Sequence, residues 1–188
     1  MLICHTLLWD TRPTRIQRDL YFIEKNQIMA ANIQHNLKEI IKISPLFQKL
    51  HSLVVLDHKK PDIYVTDSLS GKIVNLNGSK MTVIKTSGDP LKQPSGLLYD
   101  KVKDILYIVD TGNHCICVMN LKNGNIKTIV GTRRKSGYKD GLGNKVLFNS
   151  PLGISFGKTT DFLYITDTGN HVIRKVDIKN NYETTTIG

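Results

Sequence analysis

The sequence predicts an all-β protein of about three four-stranded β-propeller blades, part of a six-bladed ring, behind a short helical or irregular N-terminal extension. Two observations carry the prediction. The stretch Leu-Tyr-Ile-Val-Asp-Thr-Gly-Asn-His, from Leu106 to His114, returns from Leu163 to His171 with only Val109 exchanged for Thr166. Sliding residues 94–131 by 57 positions onto 151–188 gives 17 identities in 38. A self-similar unit of about 40 residues with four short apolar runs has the period of a propeller blade.

Residues 1–50 differ from the rest. They contain no glycine, and Ile33, Leu37, Ile40 and Ile41 fall at helical spacing ahead of Pro45. This predicts a short amphipathic helix within 26–42, in an otherwise irregular leader. From His51 the period becomes that of strands. The first unit, 51–88, holds Ser52–Leu56, Ile63–Thr66, Lys72–Leu76 and Met81–Thr86, with an Asn77-Gly78 hairpin signal between the last two. The second, 94–131, holds Gly96–Tyr99, Ile105–Val109, His114–Met119 and Ile126–Val130. The third, 151–188, repeats this as Gly153–Phe156, Phe162–Thr166, His171–Val176 and Thr184–Ile187. A shift of 43 lays Asp57, Tyr64, Asp67, Ile73 and Gly88 on Asp100, Tyr107, Asp110, Ile116 and Gly131, so the first unit is a worn copy. The two shifts differ by an insertion of 14 residues between Gly131 and Pro151.

Composition narrows the class. Forty per cent hydrophobic residues suits a globular chain, and no apolar run approaches the roughly 18 residues that span a bilayer. Met1–Trp9 lacks a basic leader and a cleavage site, so a cytoplasmic protein without membrane contact is the expectation. Three cysteines make no disulfide framework. Cys115 and Cys117 fall on one face of a strand and read as small buried hydrophobes. The formal charge of +10 divides as +3 over residues 1–50 and +7 over 51–188, so the repeats themselves are basic.

Pro-x-Gly-Ile/Leu, then Leu-Tyr-Ile-x-Asp-Thr-Gly-Asn-His-x-Ile, then a closing Gly, resembles the NHL repeat over about residues 52–188. The insertion Gly137-Tyr138-Lys139-Asp140-Gly141…Phe148-Asn149-Ser150-Pro151 is similar to the lead-in between blades of such proteins. The resemblance implies a β-propeller, usually six-bladed, that works as a binding platform, and it places Phe148 between blades. Three blades do not close such a ring, so missing blades or self-association would complete it.

The repeated turn reads as structure. Asp110 and Asp167 end a strand where a carboxylate can accept N–H bonds from the following turn. Gly112 and Gly169 are expected to supply a left-handed backbone, and Asn113 and Asn170 to tolerate one beside them. An Asp with His114 or His171 could also serve a metal or proton transfer, yet the pair recurs at the same position in two blades, whereas a catalytic group is normally unique in a monomer. His5, His35, His51 and His58 show no ligand spacing, and no nucleophile or phosphate-loop motif is present. No catalytic, metal or cofactor site is therefore expected; a metal-dependent propeller enzyme is the remote alternative.

Strand parity puts turns 111–114 and 168–171 and the insertion 131–150 on one side. That insertion carries Arg133, Arg134, Lys135, Tyr138, Lys139 and Lys145, the candidate partner-binding residues. A protein partner is the first expectation. Single-stranded RNA is the alternative, through five cations and one ring. Against it stand Lys59, Lys60, Lys101, Lys103, Lys122, Lys158 and Lys179, which make the opposite turns basic as well.

Overall fold

The computed structural model describes residues 19–24, 27–32, 41–42, 49–57, 62–77 and 80–187. The first strands are β1 (Asp19–Glu24), β2 (Gln27–Asn32) and β3 (Ile41–Lys42), an antiparallel sheet in that order. Residues Gln27–Asn32 are thus extended where a helix was expected; Ile33, Leu37 and Ile40 lie outside the described residues. The physical reason is tertiary. Ile28 is fully buried against Leu53, Val55, Ile63 and Val65 of the next sheet, and Asp19–Glu24 pairs along the whole of β2. Burial and pairing of this kind override helix propensity.

Three blades follow. The first is β4 (Leu50–Asp57), β5 (Asp62–Asp67), β6 (Lys72–Asn77) and β7 (Lys80–Val83), in the order β4-β5-β6-β7. Asn77 stands opposite Lys80, so the hairpin falls where the Asn-Gly signal put it. The second blade adds β8 (Ser87–Gly88) to β9 (Pro94–Asp100), β10 (Ile105–Asp110), β11 (Cys115–Asn120) and β12 (Asn125–Val130), in the order β8-β12-β11-β10-β9. The third adds β13 (Gly141–Leu142) to β14 (Ile154–Phe156), β15 (Phe162–Asp167), β16 (Val172–Asp177) and β17 (Glu183–Ile187), in the order β13-β17-β16-β15-β14.

The expected four-strand layout is present three times. Each of the last two blades also gains a two-residue strand from the connection before it: β8 lies parallel to β12 and β13 antiparallel to β17. These pieces cover part of an otherwise open outer edge, where unpaired backbone groups would invite aggregation.

The cores lie between the sheets. Val54 and Ile73 of the first blade meet Leu97, Leu106, Ile108, Cys115, Cys117 and Met119 of the second. Tyr107, Val109, Ile116 and Val130 on its other side meet Leu163, Ile165 and Val176 of the third, with Val146 and Phe148 of the insertion wedged in. Phe148 is fully buried there, where the resemblance placed it. The far side of the third blade stays open: Ile173 is 46% and Ile187 43% exposed, whereas their counterparts Ile116 and Val130 are fully buried. The molecule is an arc of a propeller.

Candidate interaction face

The side that carries the β10–β11 and β15–β16 turns is organised by one aspartate per blade. Asp67, Asp110 and Asp167 each end the second strand, and each Oδ1 accepts the N–H of the residue 18 positions earlier. The donors are Lys49 (3.0 Å), Lys92 (2.7 Å) and Asn149 (2.7 Å). The backbone N–H that each carboxylate accepts therefore comes from the chain entering the blade, where a donor in the following turn was expected. The bond survives even in the first blade, whose Thr-Gly-Asn-His turn is lost.

The other oxygen holds the turn through a side chain. Asn113 Nδ2 donates to Asp110 Oδ2 at 2.7 Å and Asn170 Nδ2 to Asp167 Oδ2 at 2.9 Å, each across a single 3-10 turn. The left-handed residue is the histidine that ends this turn. His114 has φ 56 and His171 φ 58, while Gly112 and Gly169 are absent from the positive-φ positions. The glycines are required for another reason. A Cβ on Gly112 would lie 2.8 Å from the Lys92 carbonyl oxygen, and one on Gly169 2.6 Å from that of Asn149. Both turns are clamped on the incoming chain, Gly112 N–H donating to Lys92 O and Gly169 N–H to Asn149 O. His114 also links two blades through its side chain. Its Nδ1 accepts the Ser150 N–H at 3.0 Å, joining the second blade to the entry of the third.

A guanidinium completes each of the last two carboxylate sites, from different parts of the chain. In the third blade it is Arg174, on β16 and fully buried. It reaches Asp167 Oδ2 (2.8 Å), Asp140 Oδ1 (2.6 Å) and the carbonyls of Leu147 and Lys139, between the rings of Phe148 (5.1 Å) and Tyr138 (5.6 Å). The 57-residue repeat places Cys117 at this position in the second blade. There Arg133 enters from the insertion instead, its Nη1 donating to Asp110 Oδ2 at 3.0 Å and its Nη2 to the Pro90 carbonyl. Burial raises the pKa of Asp110, and the bonds from Asn113, Lys92 and Arg133 pull against that rise. Asp89 and Asp140 play parallel parts at the edge, accepting from the backbone and hydroxyl of Thr128 and Thr186 respectively.

Asp110, Cys115 and Cys117 bring one carboxylate oxygen and two sulfurs within 4.8 Å of one another. The donor set suits a soft cation, but the protein supplies its own. Arg133 Nη1 lies 3.9 and 3.8 Å from the two sulfurs as well as on the carboxylate. Both cysteines are buried, and the Cys115 thiol is pushed strongly up, first by its contact with Cys117 and then by burial. They sit in the apolar core as small hydrophobes, as the sequence suggested.

The insertion folds onto both turns. Arg134 N–H donates to Asn113 O, Asn170 Nδ2 to Gly137 O and Gly137 N–H to Phe148 O. Arg134, Lys135, Tyr138 and Lys139 are exposed beside the turns, although the ring of Tyr138 lies over Arg174. Arg133 is drawn inward. Lys145 stands apart on the outer edge, in the turn Gly143–Lys145 that neighbours Tyr182. Sequence reasoning missed Arg174, Asp89 and Asp140; for Arg174 the available signal was its place across the β15–β16 hairpin, opposite Ile165 and so diagonal to Asp167 on the same face.

No protein-family model matches the chain. It is 34% identical to NHL repeat-containing protein 2 of Gallus gallus over 157 residues, which is 79% of this chain and 21% of that protein. The protein of the same name from Homo sapiens gives 34% over 156 residues, again 79% and 21%. Over most of its length the chain is thus similar to proteins named for NHL repeats. The chain spans about a fifth of the length of these relatives, 21% of each. Protein SUPPRESSOR OF QUENCHING 1, chloroplastic, of Arabidopsis thaliana is 33% identical over 99 residues, 53% of this chain and 9% of that one.

Solved structures share the propeller-type fold at low identity. A Bacteroides thetaiotaomicron protein of unknown function superposes with a TM-score of 0.72 at 20% identity, covering 89% of this chain and 44% of the other. Virginiamycin B lyase from Staphylococcus aureus gives 0.59 at 16%, covering 94% and 57%. A chain of a nidogen/laminin complex gives 0.57 at 17%, covering 92% and 76%. Among the described residues no helix is long and apolar enough to cross a membrane.

Proposed function

We propose that these blades form a non-catalytic platform for a protein partner, bound on the face that carries turns 111–114 and 168–171 and the insertion. The observation that supports this most is the build of the insertion. Two ion-paired arginines and a set of backbone bonds hold it on rigid blades, with Arg134, Lys135, Tyr138 and Lys139 left outward. A long connection fixed in this manner offers side chains at low ordering cost on binding. Leu69, 64% exposed in the corresponding turn of the first blade, adds apolar surface on the same side. The non-catalytic reading rests on the carboxylates of this face being engaged in fastening the blades, with Asp110 and Asp167 fully buried.

The open side of the third blade is where a further blade would pack in our reading, from additional chain or from a second copy. Ile173 and Ile187 would then be covered as Ile116 and Val130 are.

A photo-cross-linking residue placed at Leu69 or Lys139, compared with one at Lys122 or Lys158 on the opposite turns, tests the platform. The expected result is discrete cross-linked protein bands from the first pair alone. Bands from the second pair alone, or none from either, would overturn the proposal.

A further inference from the structure

The two faces of the arc differ in how their charges are used. On the opposite turns, cations are paired with or stand beside carboxylates: Lys103 pairs with the buried Asp100 at 3.3 Å and Lys179 with the partly exposed Asp161 at 2.8 Å, and the partly exposed Asp104 and Asp177 and the exposed Glu183 lie in the same turns. On the insertion face the carboxylates are engaged by the fold. Asp67, Asp110 and Asp167 are buried on backbone N–H groups, while Asp89 and Asp140 are bound to Thr128 and Thr186. The cations there go the other way. Lys49, Lys92, Arg134, Lys135 and Lys139 are exposed, and among the described residues none forms an ion pair. Lys49 and Lys92 hold the same repeat position, the donor of the N–H that each strand-end aspartate accepts. The basic residues of this face are thus spread along the arc from the first blade to the insertion.

We propose that the insertion face recognises an acidic segment of a protein partner, an extended run rich in Glu or Asp laid across the blades; this rests on the platform reading above. A face whose own carboxylates are satisfied internally presents an unbalanced positive field, which speeds encounter with acidic partners and rejects basic ones. Single-stranded nucleic acid would need stacking platforms as well as charge. The one large exposed aromatic among the described residues is Tyr138, and its ring is engaged by Arg174. Lys49 and Lys92 have no aromatic neighbour among the large exposed side chains, where Leu69 is the apolar one on this face. Charge without stacking selects acidic peptide over bases.

Fluorescence anisotropy of the full 188-residue chain with a labelled oligo-glutamate peptide and a labelled oligo-uridine of equal length tests the assignment. The peptide is expected to bind the more tightly, with an affinity that falls as salt rises. The triple variant Arg134→Glu, Lys135→Glu, Lys139→Glu should weaken it at least about tenfold. The triple variant Lys101→Glu, Lys122→Glu, Lys158→Glu should leave it within about threefold. Circular dichroism of both variants confirms that each remains folded. Tighter binding of oligo-uridine, no binding of the peptide at low salt, or equal loss in both variants would overturn the assignment. Face-specific cross-linking that persists without peptide binding would sink the acidic class and leave the platform standing.

Discussion

Arg133 and Arg174 set their guanidinium groups on corresponding aspartates, Asp110 and Asp167, although one comes from a loop and the other from a strand. Where β16 carries Arg174, β11 carries Cys117, and the insertion returns the missing cation. Removing one partner of a buried pair leaves an uncompensated charge, and that penalty exceeds the net value of the pair. Arg133→Ala should therefore destabilise the chain by about 2–4 kcal/mol, slightly below the range for a fully buried pair because Arg133 keeps some exposure. Adding Cys117→Arg should recover part of the loss by restoring the third blade's arrangement. Urea unfolding of the single and double variants measures both.

The turn makes opposite predictions for neighbouring residues. Gly112→Ala and Gly169→Ala press a methyl group onto backbone oxygens 2.8 and 2.6 Å away, so each should cost about 1–3 kcal/mol. His171 is exposed at φ 58. His171→Gly should be neutral or stabilising by up to about 1 kcal/mol, since glycine accepts that conformation freely. His114→Gly should lose by comparison, because Nδ1 of His114 holds the Ser150 N–H. Thermal melts of the four variants rank them.

Acid sensitivity follows from the edge carboxylates. Hydrogen bonds from Thr128 lower the pKa of Asp89. Asp140 is also lowered: burial opposes the shift, and the bonds from Thr186 and Arg174 outweigh it. Both bind fewer protons folded than unfolded, so their contribution is present above the ordinary aspartate range and is lost as pH falls through the lowered folded values. Asp110, raised by burial, acts in the opposite sense: its contribution is present at low pH and fades as pH rises through its raised value. Asp140→Asn should flatten the fall of stability on acidification, read from urea midpoints across the acid range. An unchanged slope would show that Asp140 does not carry it.

The blades were legible in the sequence because the repeat writes the same physical demand twice: an apolar strand, an aspartate to fasten the entering chain, and a glycine under a carbonyl. The reason for each residue was less legible. Gly112 looked like a left-handed position because glycine permits one, yet the demand is close approach, and the left-handed residue is His114. Asp110 looked like a cap for its own turn, but its backbone partner is Lys92, 18 residues upstream, a distance that local reasoning does not reach. The strand Gln27–Asn32 was hidden because the apolar face that fixes it belongs to the next sheet. In the insertion, five cations looked equivalent as letters. Only the fold separates Arg133, turned onto Asp110, and Lys145, on the outer edge, from Arg134, Lys135 and Lys139 beside the turns.

Two adjacent arginines divide the work of this face: Arg133 maintains the blade, and Arg134 is the one proposed to meet the partner. The most direct measurement is the melting temperature and oligo-glutamate affinity of Arg133→Ala and Arg134→Ala, made side by side. Arg133→Ala should melt several degrees lower, on the order of 4 °C or more for a penalty of this size. Arg134→Ala should keep its melting temperature and bind the peptide more weakly. The reverse pattern, with Arg134 setting the melting temperature and Arg133 the affinity, would contradict this division.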